Sequence, residues 1–222
     1  MRPLSTKSAN GLPFDKEYWD DMYAEDEESV IDGIFNAENH ANYVFELFSL
    51  MEVKIRSIGD IGFGLGVLLK EFVLRFKPNR VVAIDPSEES INRLLKEKWH
   101  KKLAIAIKQS TIENYDTSYL KKNPLDLVIC NSVLQYLPKN NVESAFEKLA
   151  HISKYVYVSI PTAKDYEYMK KELNFTDPYA YSRDRKFYLK SWKNHFYAVS
   201  HNILESKYTV KKSPFLFELF RY

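Results

Sequence analysis

The sequence predicts a single α/β domain built on a mostly parallel sheet with helices on both faces. Three observations carry this. Apolar, β-branched runs alternate with segments of helical period from about residue 53 to 160. Four of only six glycines, Gly59, Gly62, Gly64 and Gly66, fall within eight residues at one strand-to-helix junction. The chain's 222 residues, 45% hydrophobic and 28% charged, suit one globular domain with a substantial core.

The elements follow in order. Residues 1–13 are polar with two prolines and read as loosely held. A first helix, Phe14 to Ala24, places Tyr18, Trp19, Met22 and Tyr23 near one face, and the acidic stretch Glu25 to Glu28 reads as solvated. A second helix from Ala37 to Met51 turns Tyr43, Val44, Leu47, Phe48 and Met51 toward a core. Strand one is placed at Lys54 to Ile58 and the following helix at Leu65 to Phe76. RVVAID forms strand two, and Ser87 caps the next helix, whose acidic first turn suits the helix dipole. LAIAI and LDLVIC form strands three and four, a helix spans Asn141 to His151, and YVYVSI forms strand five.

The last third differs. Lys164 to Leu173 is helical, Asp177-Pro178 has turn chemistry, and Phe187 to Phe196 is helical. HNILESKYTV and FLFELFRY then read as two strands joined by the turn Lys211 to Pro214, an antiparallel hairpin at the sheet edge. Ten of sixteen tyrosines lie from Tyr155 onward, which suits either a pocket lining or amphipathic packing.

Bulk chemistry narrows the function. A net charge of +2 favours no polyanionic partner. The basic run Lys96 to Lys102 ends a helix, where lysines suit the dipole and a solvated face, so nucleic-acid binding is not expected. One cysteine, Cys130, in an apolar run, reads as a small buried hydrophobe. No intrachain disulfide is possible, no apolar run approaches about 18 residues, and the N-terminus lacks an apolar leader. A cytoplasmic protein without a membrane span is expected.

The glycine run names the ligand class. Strand, glycine turn and helix form a cradle in which a nucleotide meets backbone N–H groups. A dinucleotide fingerprint, G-x-G-x-x-G, requires a third glycine where Val67 stands. Asp85 ends strand two, nineteen positions after Gly66, where a carboxylate accepts hydrogen bonds from both ribose hydroxyls. Asp60 directly precedes the run, giving Asp60-Ile61-Gly62-Phe63-Gly64-Leu65-Gly66. Alone, Asp60 reads as a helix-capping acid and Asp85 as a cap for the helix near Ser87; jointly with three glycines they point to a ligand.

This pattern resembles motif I of the class I S-adenosylmethionine-dependent methyltransferases, small-molecule type. The resemblance extends to Asp85, to Gln109-Ser110-Thr111-Ile112-Glu113, to DLVICNSVLQYLP around strand four and to the late hairpin, and it carries motifs over about residues 53–160. It implies a Rossmann-like, mostly parallel seven-stranded sheet in which the antiparallel hairpin inserts a seventh strand between strands five and six. It further implies one domain over residues 1–222. Residues 1–52 are its N-terminal helical lid, 53–160 its cofactor core, and 161–222 a lid loop plus the sheet-closing hairpin.

The cofactor implied is S-adenosylmethionine, with S-adenosylhomocysteine as product. Gly62, Phe63, Gly64 and Gly66 would pass close to its methionine portion and ribose, and Asp60 would hold its amino group. Asp85 would hold the ribose, Pro86 would pack near the adenosine and Ile112 against adenine. Asn131 and Ser132 would border the sulfonium, and Tyr18 and Tyr23 would close over the site as part of the lid. Thr111 stands where many members carry an adenine-binding Asp, so a hydroxyl replaces a carboxylate there.

Methyl transfer is an in-line displacement that needs a general base only for a protonated nucleophile. The acceptor expected is a small molecule methylated on O or N, over the ends of strands four and five. Candidates to meet it are Gln135, Tyr136, Tyr179, Tyr181 and Arg183; the first two also read as a packed helix start and the rest as a solvated loop. His195 and His201 read as structural. Asn131-Ser132-Val133-Leu134 lacks the prolines of amino-methylating DNA enzymes, and no acidic cluster has metal spacing. The alternatives are an RNA or protein methyltransferase, a cofactor-binding module without catalysis, and an NAD-linked oxidoreductase.

Overall fold

The computed structural model describes residues 14, 16–18, 34–100, 103, 105–217, 219, 221 and 222. Seven strands form one sheet: β1 (Ser57–Ile61), β2 (Arg80–Asp85), β3 (Ile105–Gln109), β4 (Leu125–Asn131), β5 (Ser153–Ser159), β6 (Phe196–Ser200) and β7 (Ile203–Ser206). Helices α1 (Ile34–Leu50), α2 (Val67–Phe76), α3 (Glu88–Lys96), α4 (Ser118–Lys122), α5 (Lys139–Ile152), α6 (Ala163–Glu172) and α7 (Arg185–Trp192) join them. The strand order is β3-β2-β1-β4-β5-β7-β6. The first five strands run parallel, and β7 pairs antiparallel with both β5 and β6. The seven-stranded, mostly parallel sheet with its inserted last strand is therefore as expected.

Alternation of side chains divides the core between the two faces. Val81 and Ala83 of β2 and Leu127 and Ile129 of β4 pack with Val44 and Phe48 of α1 and Phe72 of α2. Val82, Ile84, Val128 and Cys130 pack on the other face with Phe146 and Leu149 of α5 and Tyr188 of α7. Cys130 is a fully buried free thiol, and burial pushes its ionisation up.

Several expected boundaries move, among them the third strand, which is Ile105–Gln109 rather than LAIAI at 103–107. β1 occupies Ser57–Ile61 rather than Lys54 to Ile58. All five of its residues are buried between β2 and β4, and Gly59 belongs to the strand because a Cβ there would stand 2.7 Å from Leu125 Cδ1. The helix expected over Phe187 to Phe196 is capped by Asp184, whose carboxylate accepts from the Phe187 N–H at 2.7 Å, and it ends at Trp192. Phe196 instead opens β6.

The closing hairpin is β6–β7, turning at His201-Asn202, and not a pair across Lys211 to Pro214. Asn202 supplies the left-handed turn conformation with φ 58°. No strand forms among the described residues of 215–222. Tyr222 and Ala198 nevertheless exchange two backbone hydrogen bonds, of 2.6 and 3.2 Å, along the outer edge of β6.

That terminal segment is tied down by charge. Glu205 on β7 is fully buried. Its Oε1 accepts from Arg221 Nε and Nη2 at 3.1 and 2.7 Å, and its Oε2 accepts from Ser213 Oγ at 2.6 Å. The Arg221 guanidinium lies 3.7 Å from the centre of the Tyr197 ring.

Candidate functional site

The strand order reverses between β1 and β4, and at that switch point the C-terminal strand ends rim a cavity of about 1040 Å³. The glycine turn forms its floor. Gly62, Gly64 and Gly66 have φ of 74°, 53° and 73°, in the region that disfavours any Cβ. A Cβ at Gly62 would also stand 2.5 Å from Val133 Cγ2. Gly66 is the N-cap of α2, so the helix opens at Val67, at the cavity wall. Phe63 lines the same turn and is buried.

Two carboxylates converge beside this turn. Asp85 ends β2 and is 4% exposed. One oxygen accepts from the Gly64 N–H at 2.8 Å and the other from the Ser87 N–H at 2.8 Å. Burial pushes its pKa up to about 6 against the pull of these two donors. Asp60, in the middle of β1, is 2% exposed, lines the cavity and accepts no hydrogen bond among the described residues. Burial first, and the neighbouring Asp85 second, hold its carboxyl well above the usual range. A buried, unpartnered carboxylate on a cavity wall is costly without a cationic or donor partner.

The next wall is the loop after β3. Thr111 Oγ1 accepts from the Asn114 N–H at 3.3 Å, and Ile112 is buried against the core. Lys148 of α5 donates to the Ile112 carbonyl at 3.2 Å and to the Glu113 carbonyl, clamping the loop. Glu113 Oε1 accepts from Asn141 at 3.3 Å, while its Oε2 is buried without a partner among the described residues. Pro86 completes this side.

Asn131 and Ser132 line the cavity at the end of β4. Ser132 has φ 53°, unusual for a non-glycine residue, and its N–H donates to the Ser159 carbonyl at 2.8 Å. Tyr136, in a 3-10 turn at Leu134–Tyr136, donates to Asp177 Oδ2 at 2.6 Å, and its hydroxyl lies 3.3 Å from that of Tyr18. Burial, followed by Tyr18 and Asp177, pushes Tyr136 far up, so the phenol stays protonated. The Phe14 ring meets Tyr18 and Tyr136 edge-on. The Ser87 hydroxyl donates to the Phe14 carbonyl at 2.7 Å, which carries this aromatic cluster to the end of β2.

Of the five acceptor-side candidates, Tyr136 alone lines the cavity. Gln135 is buried under the 3-10 turn, and its carbonyl accepts from the Tyr181 N–H. Tyr179 packs edge-on against Tyr18, and Tyr181 is half exposed. Arg183 is structural: it donates to the Leu134 and Leu137 carbonyls and stacks on Tyr181 and Phe187. Every expected cofactor-side residue lines the cavity except Tyr23, which with Trp19 lies outside the described residues. His195 bonds Tyr208 at 2.9 Å and, like His201, does not line the cavity.

Other lining residues were not expected. Asn36, Ala37 and His40 come from α1, Ser159 and Pro161 from the end of β5, and Met169 and Leu173 from α6 and its end. His40 Nδ1 lies 2.5 Å from the Tyr157 hydroxyl. Its sequence signal is the interruption of an apolar stripe: Ala37, His40, Ala41, Val44 and Phe48 share one helix face. Among the described residues no group of three His, Cys, Asp or Glu side chains is placed to hold a metal ion. Nor is any helix among them long and apolar enough to cross a membrane.

Comparison with known proteins agrees with this geometry. A family model described as a methyltransferase domain matches residues 58–155. Among solved structures, the small RNA methyltransferase HEN1 aligns with TM-score 0.60 and 17% identity over 79% of this chain and 26% of its own. An S-adenosylmethionine-dependent methyltransferase from Clostridium acetobutylicum ATCC 824 aligns with TM-score 0.58 and 12% identity over 80% and 84%. Magnesium protoporphyrin IX methyltransferase from Synechocystis PCC 6803, with S-adenosylhomocysteine bound, aligns with TM-score 0.55 and 16% identity over 76% and 82%. At these identities the likeness is one of fold, and this chain spans about a quarter of the first structure's length. No curated protein matches the chain in sequence.

Proposed function

We propose that the protein, whose residues 58–155 match a family model described as a methyltransferase domain, is a class I S-adenosylmethionine-dependent methyltransferase that methylates an O or N atom of a small-molecule acceptor. The charge of the cavity carries this reading. Its charged lining residues are Asp60, Asp85 and Glu113, and no Lys or Arg lines it among the described residues. Such a site favours a cofactor bearing an ammonium and a sulfonium and repels phosphodiesters, which speaks for a small acceptor over RNA.

The residues fit the cofactor. Each Asp85 oxygen keeps a lone pair beyond its backbone donor, enough for one ribose hydroxyl apiece. Asp60 supplies the unpaired carboxylate for the ammonium. Gly62, Phe63, Gly64 and Gly66 offer backbone with no Cβ in the way at the glycines, Pro86, Thr111 and Ile112 frame the adenine side, and Asn131, Ser132 and Tyr18 frame the methionine side. Bound there, S-adenosylmethionine supplies an electrophilic methyl group on sulfur. Phe14, Tyr18, α1 and α6 all reach the cavity, consistent with lids in residues 1–52 and 161–222 over a core of 53–160. The lone buried thiol suits a reducing, cytoplasmic setting.

Calorimetry tests the reading. S-Adenosylmethionine and S-adenosylhomocysteine bind with micromolar affinity, and no heat at millimolar cofactor overturns the proposal. A purified protein that binds both yet methylates no member of a small-molecule library is instead a cofactor-binding module.

The affinity also carries a pH signature. Ribose hydroxyls and an ammonium favour ionised carboxylates, so binding lowers the pKa of Asp85 from about 6 and expels protons. Affinity is expected to fall about tenfold between pH 7.5 and pH 5 from Asp85 alone. The sign for stability is opposite. A raised carboxyl pKa in the folded state stabilises the ligand-free protein below about pH 4, and this is lost as pH rises through about 6. The thermal shift induced by S-adenosylhomocysteine is therefore larger at pH 7.5 than at pH 5, and a pH-independent affinity removes ionised Asp85 from the site.

A further inference from the structure

The cavity carries an aromatic and apolar set of side chains and one imidazole. Phe14, Tyr18, Tyr136, Met169 and Leu173 line it, with His40 of α1. His40 Nδ1 is engaged by the Tyr157 hydroxyl at 2.5 Å. Nε2 has no partner among the described residues. Tyr157 and the cavity-lining Ser159 lie two residues apart on β5, hence on one sheet face, about 7 Å apart along the strand. This sets the imidazole beside the acceptor end of the site rather than the glycine turn.

Building on the cofactor reading above, we propose that this set of side chains is the acceptor subsite, that it takes a neutral aromatic hydroxyl compound, and that His40 Nε2 accepts that hydroxyl's proton. The balance is simple. The acceptor's O–H bond breaks as its O–CH3 bond forms, the proton goes to Nε2, and the electron pair of the cleaved S–CH3 bond stays on sulfur. The imidazolium then returns its proton to water. A carboxylate- or phosphate-bearing acceptor finds no described Lys or Arg side chain here to pair with. Ring edges of Phe14, Tyr18 and Tyr136, already set edge-to-face, suit an aromatic ring.

The groups that face His40 suit a proton acceptor. Tyr157 comes from β5, His201 and Asn202 from the β6–β7 turn, and Tyr43 lies one turn along α1 with its hydroxyl 2.7 Å from Ser200. Burial first and His201 second hold the imidazole below its ordinary value, so it is neutral at pH 7. A neutral imidazole is a better match for a phenol, near pKa 10, than for an alkyl alcohol. Tyr157 is a positioning residue: in the tautomer the proposal requires, its oxygen accepts from Nδ1–H and the Nε2 lone pair is free.

The experiment follows the His40 ring nitrogens by NMR in the protein loaded with S-adenosylhomocysteine. Phenol is expected to shift Nε2 and benzoate to leave it unmoved. His40→Gln is expected to keep S-adenosylhomocysteine affinity within threefold while slowing phenol methylation at least 100-fold. Tyr157→Phe is expected to change the His40 titration and to lower kcat about tenfold with KM for phenol unchanged. The proposal is overturned if the loaded protein leaves Nε2 unmoved by phenol, if benzoate binds in preference, or if His40→Gln methylates phenol at the wild-type rate. Failure to bind S-adenosylhomocysteine at all overturns the cofactor reading beneath it, and calorimetry separates that outcome from the others.

Discussion

Asp85→Ala lowers affinity for S-adenosylmethionine and S-adenosylhomocysteine at least 100-fold. The carboxylate has two tasks, and alanine removes both. It leaves the Gly64 and Ser87 N–H groups without their acceptor, which loosens the glycine turn and the start of α3. It also deletes the acceptors proposed for two ribose hydroxyls. Hydrogen bonds to a charged group contribute roughly 1.5–3 kcal/mol each, so losing two exceeds the 100-fold mark. Asp85→Asn separates the tasks, since its amide still offers one oxygen but sets a donor against a backbone N–H. Its affinity falls between wild type and Asp85→Ala. Calorimetry at pH 7.5 checks both, and an Asp85→Ala protein that binds within threefold of wild type removes the ribose assignment.

Arg221→Ala costs on the order of 3–5 kcal/mol of stability, the range for stripping one partner from a buried ion pair. Glu205 is fully buried, and after the change Ser213 remains its sole side-chain donor among the described residues. The Arg221 side chain is 28% exposed, so solvent screens the pair only partly. For a chain of this length the melting temperature drops on the order of 10 °C. Glu205→Met combined with Arg221→Met recovers most of the loss, because no uncompensated charge is left inside. Urea denaturation of the single and double variants closes the cycle. Equal losses in Arg221→Ala and in the double variant would mean that packing of the arginine on Tyr197, not charge, holds the segment.

How far the sequence reveals this molecule depends on whether local rules and tertiary demands agree. β2 was legible to the residue, because RVVAID has a single pattern and an acid where the strand ends. β1 was placed three residues early, because Gly59 and Asp60 are poor strand residues by propensity. The place of Gly59 is fixed instead by the side chains of Leu125 and Val128 against its backbone, and β1 is buried between β2 and β4 along its whole length. The alternation in FLFELFRY resembles a strand, yet its described residues meet β6 only through the two Tyr222–Ala198 hydrogen bonds and form no strand. The true hairpin turns on Asn202, which carries no glycine or proline to announce it.

The cofactor side was legible because its chemistry sits in one contiguous glycine run and one strand end. The proposed acceptor side is drawn from five separated stretches, and only proximity in the fold unites them. Tyr136 could be singled out from its place after β4. His40 could not, although it is the one polar group in the buried stripe of α1, because a histidine at such a position is usually a core residue. Arg183 and Tyr181 looked like ligand-facing groups, but they spend their donors and rings on the 3-10 turn.

The backbone at Ser132 has a consequence for anyone who would harden this protein against heat. A serine held at φ 53° costs the fold on the order of 1 kcal/mol that a glycine would not. The position therefore looks like an easy gain. Glycine would also widen the range of shapes open to the segment between Asn131 and Val133, and Val133 is the side chain that packs on Gly62. The serine's narrower backbone range, with its N–H bonded to the Ser159 carbonyl, favours one alignment of the glycine turn and the β4 loop, and a glycine at 132 is expected to trade that alignment for melting temperature.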